Sequence, residues 1–399
     1  MAGPAVSYEL VTHGSVREIG EDAYRSVVTD STPPFLHFEW LDALEQTGCV
    51  SPDKGWLPLF LALHRVVDGH RRLAAVSPAY VKWHSDGEFV FDHAWAQFAE
   101  QRLGIDYYPK LIVAVPFTPA TGPKVLIHPD EDAPRAQAAL SDGIGRLLER
   151  VPLSSAHVLF PSDGEAEAWG KLGWARRFGV QFHWENAGYG TYEDFLGRFS
   201  AKRRAALRRE ERELAAQGVD IEIRTGAEID EEVLDAAHRF YLSTVDKYVW
   251  GRRYLSREFF YTVGRTMPDR LHLVMARERG SGRLLGGAFN LLGSDALYGR
   301  YWGAEEDRPF LHFNVCFYAG IRDCIARGLQ RFEPGAGGEH KQSRGFEATV
   351  THSVHRIAHP ELDAAVRDFL RRERAGVLAA VERARGDSVL RPTEGRARR

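Results

Sequence analysis

The chain has 399 residues, room for two or three domains with real cores, and its 44% hydrophobic and 27% charged residues give the balance of an ordinary globular fold. With 52 basic against 55 acidic side chains and a formal net charge of -3, the molecule as a whole is excluded as an electrostatic glove for nucleic acid, although a local basic patch is not. No apolar run reaches the ~18 residues of a membrane span, and the start MAGPAVSYEL lacks the basic and apolar regions of a secretory signal, so a cytoplasmic location is expected.

In chain order, residues 31–47 predict a capped helix: Ser31, Thr32, Pro33 and Pro34 supply start signals, and Phe35, Phe38, Leu41 and Leu44 an apolar stripe. Trp56 to Val66 and Leu73 to Trp83 read as two strands of a hairpin turned at Asp68-Gly69. A domain boundary is expected near 176–190, giving units 1–180 and 181–385. Residues 202–212 predict a basic helix. Strands follow at Leu271–Arg277, Leu284–Leu292 and Ala296–Trp302, then a buried helix from Phe310 to Arg327 closed by Gly328, then a strand over Gln330–Phe332. A glycine loop, Gly335-Ala336-Gly337-Gly338, precedes a charged amphipathic helix over 361–384, and the basic tail 386–399 is expected to be disordered. Two hairpins half a chain apart suggest two α/β units in tandem. Cys49, Cys316 and Cys324 are too few for a disulfide framework, and Cys316 and Cys324 lie too far apart along one expected helix to pair.

Five segments hold groups that chemistry could use. Glu339, His340, Lys341 and Arg344 crowd the loop after the glycines: Glu339 or His340 can take a proton from an attacking amine, and Lys341 and Arg344 can hold a carboxylate or phosphate. The other reading of that stretch is a solvated charged turn. Tyr298, Arg300 and Trp302 are expected on one strand face and Tyr301 on the other, with Arg300 facing either a ligand or an acid such as Glu333 or Glu339. Arg204 and Arg208 share a helix face suited to a phosphate backbone, with Arg212 continuing it, although the interleaved Glu210, Glu211 and Glu213 suit a plain solvated helix. His352, His355 and His359 are spaced poorly for a metal, so no metal site is assigned; one of them fits better as an acid or base. Lys82 and His84 could line a cleft between the halves. No phosphate-binding P-loop, serine-hydrolase elbow or dinucleotide fingerprint is present.

Beyond these readings, whole phrases of the sequence resemble a known family. They are VKWHSDGEFVFDHAW (81–95), YYPK (107–110), PFTPATGPK (116–124), QFHWENAGY (181–189), LYGRYWG (297–303), LHF (311–313), FEPGAGGEHK (332–341), RGF (344–346) and THSVH (351–355). Together they are similar to a bacterial Fem-like family, labelled peptidoglycan biosynthesis/recognition, of the GNAT acyltransferase superfamily. The resemblance implies an α/β (α+β) fold of two tandem GNAT-like domains, each a mixed, mostly antiparallel sheet flanked by helices. It also implies acyl or aminoacyl transfer to an amine by direct attack. In CoA-dependent members a glycine-patterned loop at a helix N-terminus holds the pyrophosphate; here GAEEDRPFLHF (303–313) lacks that pattern and carries Glu305, Glu306 and Asp307. Aminoacyl-tRNA is therefore the favoured donor and acyl-CoA the alternative, with no tightly bound cofactor and an amine-bearing small molecule or peptide as acceptor. Asn314 stands where the family usually has glutamate after LHF, which moves the acid/base role to Glu339, His340 or His355, with Tyr298 or Tyr301 protonating the leaving oxygen or polarising the carbonyl. Arg300, Lys341, Arg344, Asn314, Glu333, Lys82, His84, Arg204 and Arg208 remain as substrate contacts. Two alternatives stay open: a non-catalytic recognition module for cell-wall precursors or peptides, and a CoA-dependent N-acetyltransferase.

Overall fold

The computed structural model describes residues 6–247, 253–337 and 340–391. The chain forms two compact units, Met1–Gly179 with Val350–Ala379, and Val180–Thr349 with Ala380–Arg399. The expected crossing near 180 is accompanied by two more, because residues 350–379 return to the first unit.

The first unit holds strands β1 (Val6–His13), β2 (Leu57–Pro58), β3 (Phe60–Val67), β4 (His70–Ser77), β5 (Ala79–Lys82), β6 (Lys110–Val113), β7 (Leu126–Ile127) and β8 (Ser155–Leu159). Strand β9 (Ala175–Glu185) carries the chain into the second unit. That unit contains β10 (Val219–Thr225), β11 (Leu271–Glu278), β12 (Leu284–Leu292), β13 (Ala296–Ala304) and β14 (Arg331–Glu333), and β15 (Glu347–Ile357) carries the chain back.

In the first unit, β1, β3, β4 and β7 form one antiparallel sheet, and β2, β5, β6, β8 and β15 lie side by side in that order. The β3–β4 hairpin turns at Asp68 and Gly69, both with positive φ (50° and 78°), as the Asp-Gly pair predicts. The helix expected over 31–47 is split: a 3-10 turn, Pro34–Leu36, stops at the extended His37 before helix Phe38–Gln46 begins. In the second unit the order is β10, β11, β12, β13, β14, β9. Each unit uses the same device. Antiparallel neighbours lead into one parallel pair, β6 with β8 and β13 with β14, and an antiparallel long strand closes the set. Helix Ala133–Arg150 lies between the strands of the first pair, and a helix over 311–327 between those of the second. A parallel pair needs such a crossover, since a tight turn can only reverse the chain. The result is the mixed, mostly antiparallel α/β architecture expected from the sequence. Among the described residues no helix is long and apolar enough to cross a membrane.

The helix over 311–327 buries Leu311, Val315, Tyr318, Ile321 and Ile325, and Gly328 ends it with a left-handed residue (φ 70°) whose N–H donates back to Cys324 and Ile325. Its second turn, Asn314–Tyr318, is π-helical. Helix Glu231–Val245 packs on β13 so closely that a Cβ at Gly303 would stand 1.8 Å from the Phe240 carbonyl oxygen and 2.5 Å from Ser243 Oγ. Gly303→Ala must therefore push helix and sheet apart. It is expected to cost about 3 kcal/mol or more, read as a lower urea midpoint; an unchanged midpoint would show that the helix can slide without loss.

The basic tail does not begin at 386. Residues 387–391 are ordered: Leu390 bridges Phe199, and Arg198 Nε donates 2.8 Å to the Arg391 carbonyl. The remainder of the expected tail, 392–399, lies outside the described residues.

Candidate active site

Strand β13 does not keep the simple alternation expected of it. Phe289 faces Tyr301 and Asn290 faces Gly299 across the β12–β13 pair, so Arg300 is an extra, bulged residue. Paired residues share a face. Tyr301 therefore lies with Tyr298, and Trp302 lies with Gly299, instead of Tyr298, Arg300 and Trp302 lying together. The bulge, the first turns of the helix at 311–327 and the loop after β14 enclose a cavity of about 340 Å³. Gly299 has no side chain to block the passage of that loop: a Cβ there would sit 3.1 Å from Pro334 backbone atoms.

Of the residues singled out in the sequence, Arg300, Tyr301, His340 and Lys341 line this cavity, joined by Trp302, His312, Asn290, Tyr241 and Cys316, among others. His340 is exposed, and its ring stands edge-on to Phe313 with centroids 5.5 Å apart. His312 packs on Trp302 (4.7 Å) and Phe317 (5.2 Å). Burial, and then the charges of His340, Arg344 and Lys341, hold its pKa down at about 4, so it is a neutral imidazole at physiological pH. The Cys316 thiol is pushed well up by burial, which suits an inert side chain and not a covalent nucleophile.

The crowded charges after the glycine loop do different jobs. Lys341 does not offer its ammonium to an anion. It donates to the carbonyls of Gly335 (2.5 Å), Ala336 (3.1 Å) and Gly337 (2.8 Å), which uses its three protons to hold the loop, and burial lowers its pKa to about 8. Arg344 turns inward: Nη2 donates to Glu210 Oε2 at 2.8 Å, Nε to the Tyr318 hydroxyl oxygen at 2.9 Å, and Nη1 to the His340 carbonyl at 3.1 Å. Tyr318 also donates to Glu210. Arg344 is thus a brace under His340 and not a substrate grip. Glu210, read from sequence as part of a solvated helix, is buried. Glu339 lies outside the described residues.

Other expected contacts have other partners. Tyr298 is buried, with Arg331 at its hydroxyl (3.4 Å); burial and then the charge of Glu333 push its phenol up. Glu333 faces Arg331 Nε (3.0 Å) and His183 (3.8 Å). Asn314 donates to the Phe310 carbonyl (2.9 Å) and the Glu210 carbonyl (3.4 Å), so its amide stitches the π-helical turn instead of serving Arg300 or a substrate. Arg208 pairs with Glu193 on the surface; its neighbour Arg203, not Arg204, reaches the loop through the Ser343 carbonyl at 2.7 Å.

Lys82, His84 and His355 belong to the first unit. Lys82 is fully buried over the Trp56 ring (3.6 Å), donates to the Asp86 carbonyl (2.5 Å), and is brought down to about 7 by burial. His84 Nδ1 accepts from the Asp86 N–H at 3.1 Å. His355 is buried, with Nδ1 on His157 (2.6 Å) and Nε2 on Ser353 (2.8 Å), and burial keeps its pKa well below the ordinary range. Both its nitrogens are occupied, which removes it as a base for a substrate.

A second cavity of about 190 Å³ shares Trp302 and His312 with the first and is lined by Glu306, Asp307, Arg308 and Lys247. Glu306 is paired with Arg308 (2.9 Å) and with Arg283, and Glu305 with Arg239 (2.9 Å).

A FemAB-like family model, described as peptidoglycan biosynthesis/recognition, matches residues 15–391. No curated protein matches the chain. Among solved structures, FemX is 12% identical with a TM-score of 0.50, covering 90% of this chain and 100% of its own. The tandem GNAT protein from the clavulanic acid biosynthesis pathway is 11% identical with a TM-score of 0.45, covering 89% and 99%. L-PGS from Bacillus licheniformis is 9% identical with a TM-score of 0.45, covering 74% and 86%. At such identities a likeness speaks to fold, and the FemX match agrees with two mixed, mostly antiparallel sheet units flanked by helices.

Proposed function

Because the chain belongs to the FemAB-like family, we propose that it is an acyltransferase that forms an amide on a substrate amino group inside the 340 Å³ cavity of the second unit, with aminoacyl-tRNA the favoured donor. The observation that carries this reading is the grouping of an exposed imidazole, a guanidinium and a phenol around one hollow: His340, Arg300 and Tyr301. The amine nitrogen attacks the donor carbonyl. A C–N bond forms, His340 takes the amine proton, and Arg300 faces the charge that builds on the carbonyl oxygen. The C–O bond of the donor ester then breaks, and the departing ribose oxygen receives a proton from Tyr301 or from the imidazolium. Attack is direct, in keeping with the raised thiol of Cys316.

The donor preference rests on charge. A pyrophosphate at the start of the 311–327 helix would face Glu306 and Asp307, and the arginines that neutralise Glu306 are already committed to it. A panel of charged tRNAs and acyl-CoAs, offered with amine-bearing muropeptides and amino acids, tests the reading by mass spectrometry of the amide product. Product from aminoacyl-tRNA is expected. Product from acyl-CoA alone would overturn the donor, and tight muropeptide binding with no product from any donor would overturn the activity.

A further inference from the structure

Strand β12 is apolar, LLGGAFNLL, except for Asn290, which is 3% exposed and faces the cavity. A lone buried amide must spend its donors and acceptors. Directly opposite it on β11 stands His272, fully buried, and Asn290 Nδ2 lies 3.1 Å from His272 Nδ1. The far nitrogen of the same ring, Nε2, lies 3.0 Å from Asp323 Oδ2 on the helix at 319–327, and Asp323 is held in turn by Arg327 Nε at 2.6 Å.

The direction of this chain follows from chemistry. Asp323 only accepts, so His272 Nε2 carries the proton. An amide nitrogen only donates, so His272 Nδ1 is bare and receives Asn290. The Asn290 oxygen is then left for the cavity that this residue lines. On its other side, in β13, the residue opposite is Gly299, which has no side chain to cover it.

We propose that Asn290 is a substrate-binding residue whose amide oxygen accepts one N–H of the attacking amine, and that His272 and Asp323 are positioning residues that fix the amide in that orientation. This rests on the acyl-transfer reading of the cavity and adds a substrate class to it. A primary amine has two N–H groups, one for Asn290 and one for His340, with its lone pair left for the carbonyl. A secondary amine can serve only one of the two. Arg300 and Lys341 on the same walls favour the neutral, nucleophilic form of the amine over ammonium.

Two experiments decide it, one independent of turnover. In protein labelled with 15N-histidine and 15N-asparagine, with His272 assigned through His272→Gln and Asn290 through Asn290→Ala, a protonated Nε2 and a bare Nδ1 are expected. Titration with acetamide should then move the Asn290 side-chain amide signals, whereas N,N-dimethylacetamide, which has no N–H, should leave them in place. A protonated Nδ1 or an equal response to the two probes would overturn the proposal. In steady-state transfer, Asn290→Ala should raise KM for a primary amine about tenfold, one hydrogen bond's worth, while kcat changes less than threefold. Asp323→Ala should reproduce the rise in the Asn290 wild-type background and add little to Asn290→Ala. Full additivity would make His272 and Asp323 merely structural. If no donor supports turnover, the acyl-transfer reading fails while the spectra still judge the relay; if turnover persists with the opposite tautomer, the relay alone fails.

Discussion

His340→Ala lowers kcat for amide formation by about 10²–10⁴-fold, the usual contribution of a positioned general base, with KM for the amine changed far less. Three histidines compete for this role. His355 is enclosed with both nitrogens bonded, so its removal should leave the rate close to wild type once folding is matched. His312 lines the cavity but is pressed between aromatic rings, and at a pKa of about 4 it is a feeble acceptor of an amine proton. His340 lines the cavity, is exposed, and is anchored by its own carbonyl through Arg344. Comparing His340→Ala with His355→Ala under single-turnover conditions isolates the chemical step. Equal rates in wild type and His340→Ala would remove the base assigned here.

Arg344→Ala is expected to cost about 3–5 kcal/mol, because it takes the guanidinium from a buried carboxylate that, among the described residues, keeps the Tyr318 hydroxyl as its side-chain partner. The side chains of Arg344 and Glu210 are 5% and 9% exposed, so water cannot take over the lost interaction. The double variant Glu210→Ala/Arg344→Ala removes both charges and should be no less stable than Arg344→Ala alone. Urea unfolding of the three proteins checks this, and a loss below about 1 kcal/mol in Arg344→Ala would mean that the pair is solvated or dispensable. The same variant couples fold to function. Arg344 Nη1 holds the His340 carbonyl, so kcat should fall even at temperatures where the protein stays folded.

Much of the architecture was legible in the sequence, because period and punctuation record the backbone. The strands around Leu271–Leu292, the Asp68-Gly69 hairpin and the helix closed by Gly328 lie where apolar spacing and turn residues put them. The fate of each charge was not. His340, Lys341 and Arg344 look alike as a string, yet a 3-10 turn aims their side chains in different directions. One meets backbone carbonyls and another a carboxylate 134 residues away in sequence. Alternation failed at Arg300 because a bulge, invisible in composition, slips the register by one. His312 was hidden inside LHF, where it reads as part of an apolar stripe. Asn290 and His272 did leave a signal, since each interrupts an apolar strand and a buried polar group must find a partner.

The most direct measurement of the account is the position of the acyl carbonyl in a structure of the protein bound to a 3′-aminoacylamido-adenosine, a non-hydrolysable stand-in for the end of an aminoacyl-tRNA. The prediction places that carbonyl within the hollow walled by Arg300, Tyr301, His340 and Asn290. Density for the ligand elsewhere on the chain, with this hollow unchanged and His340 untouched, would contradict it.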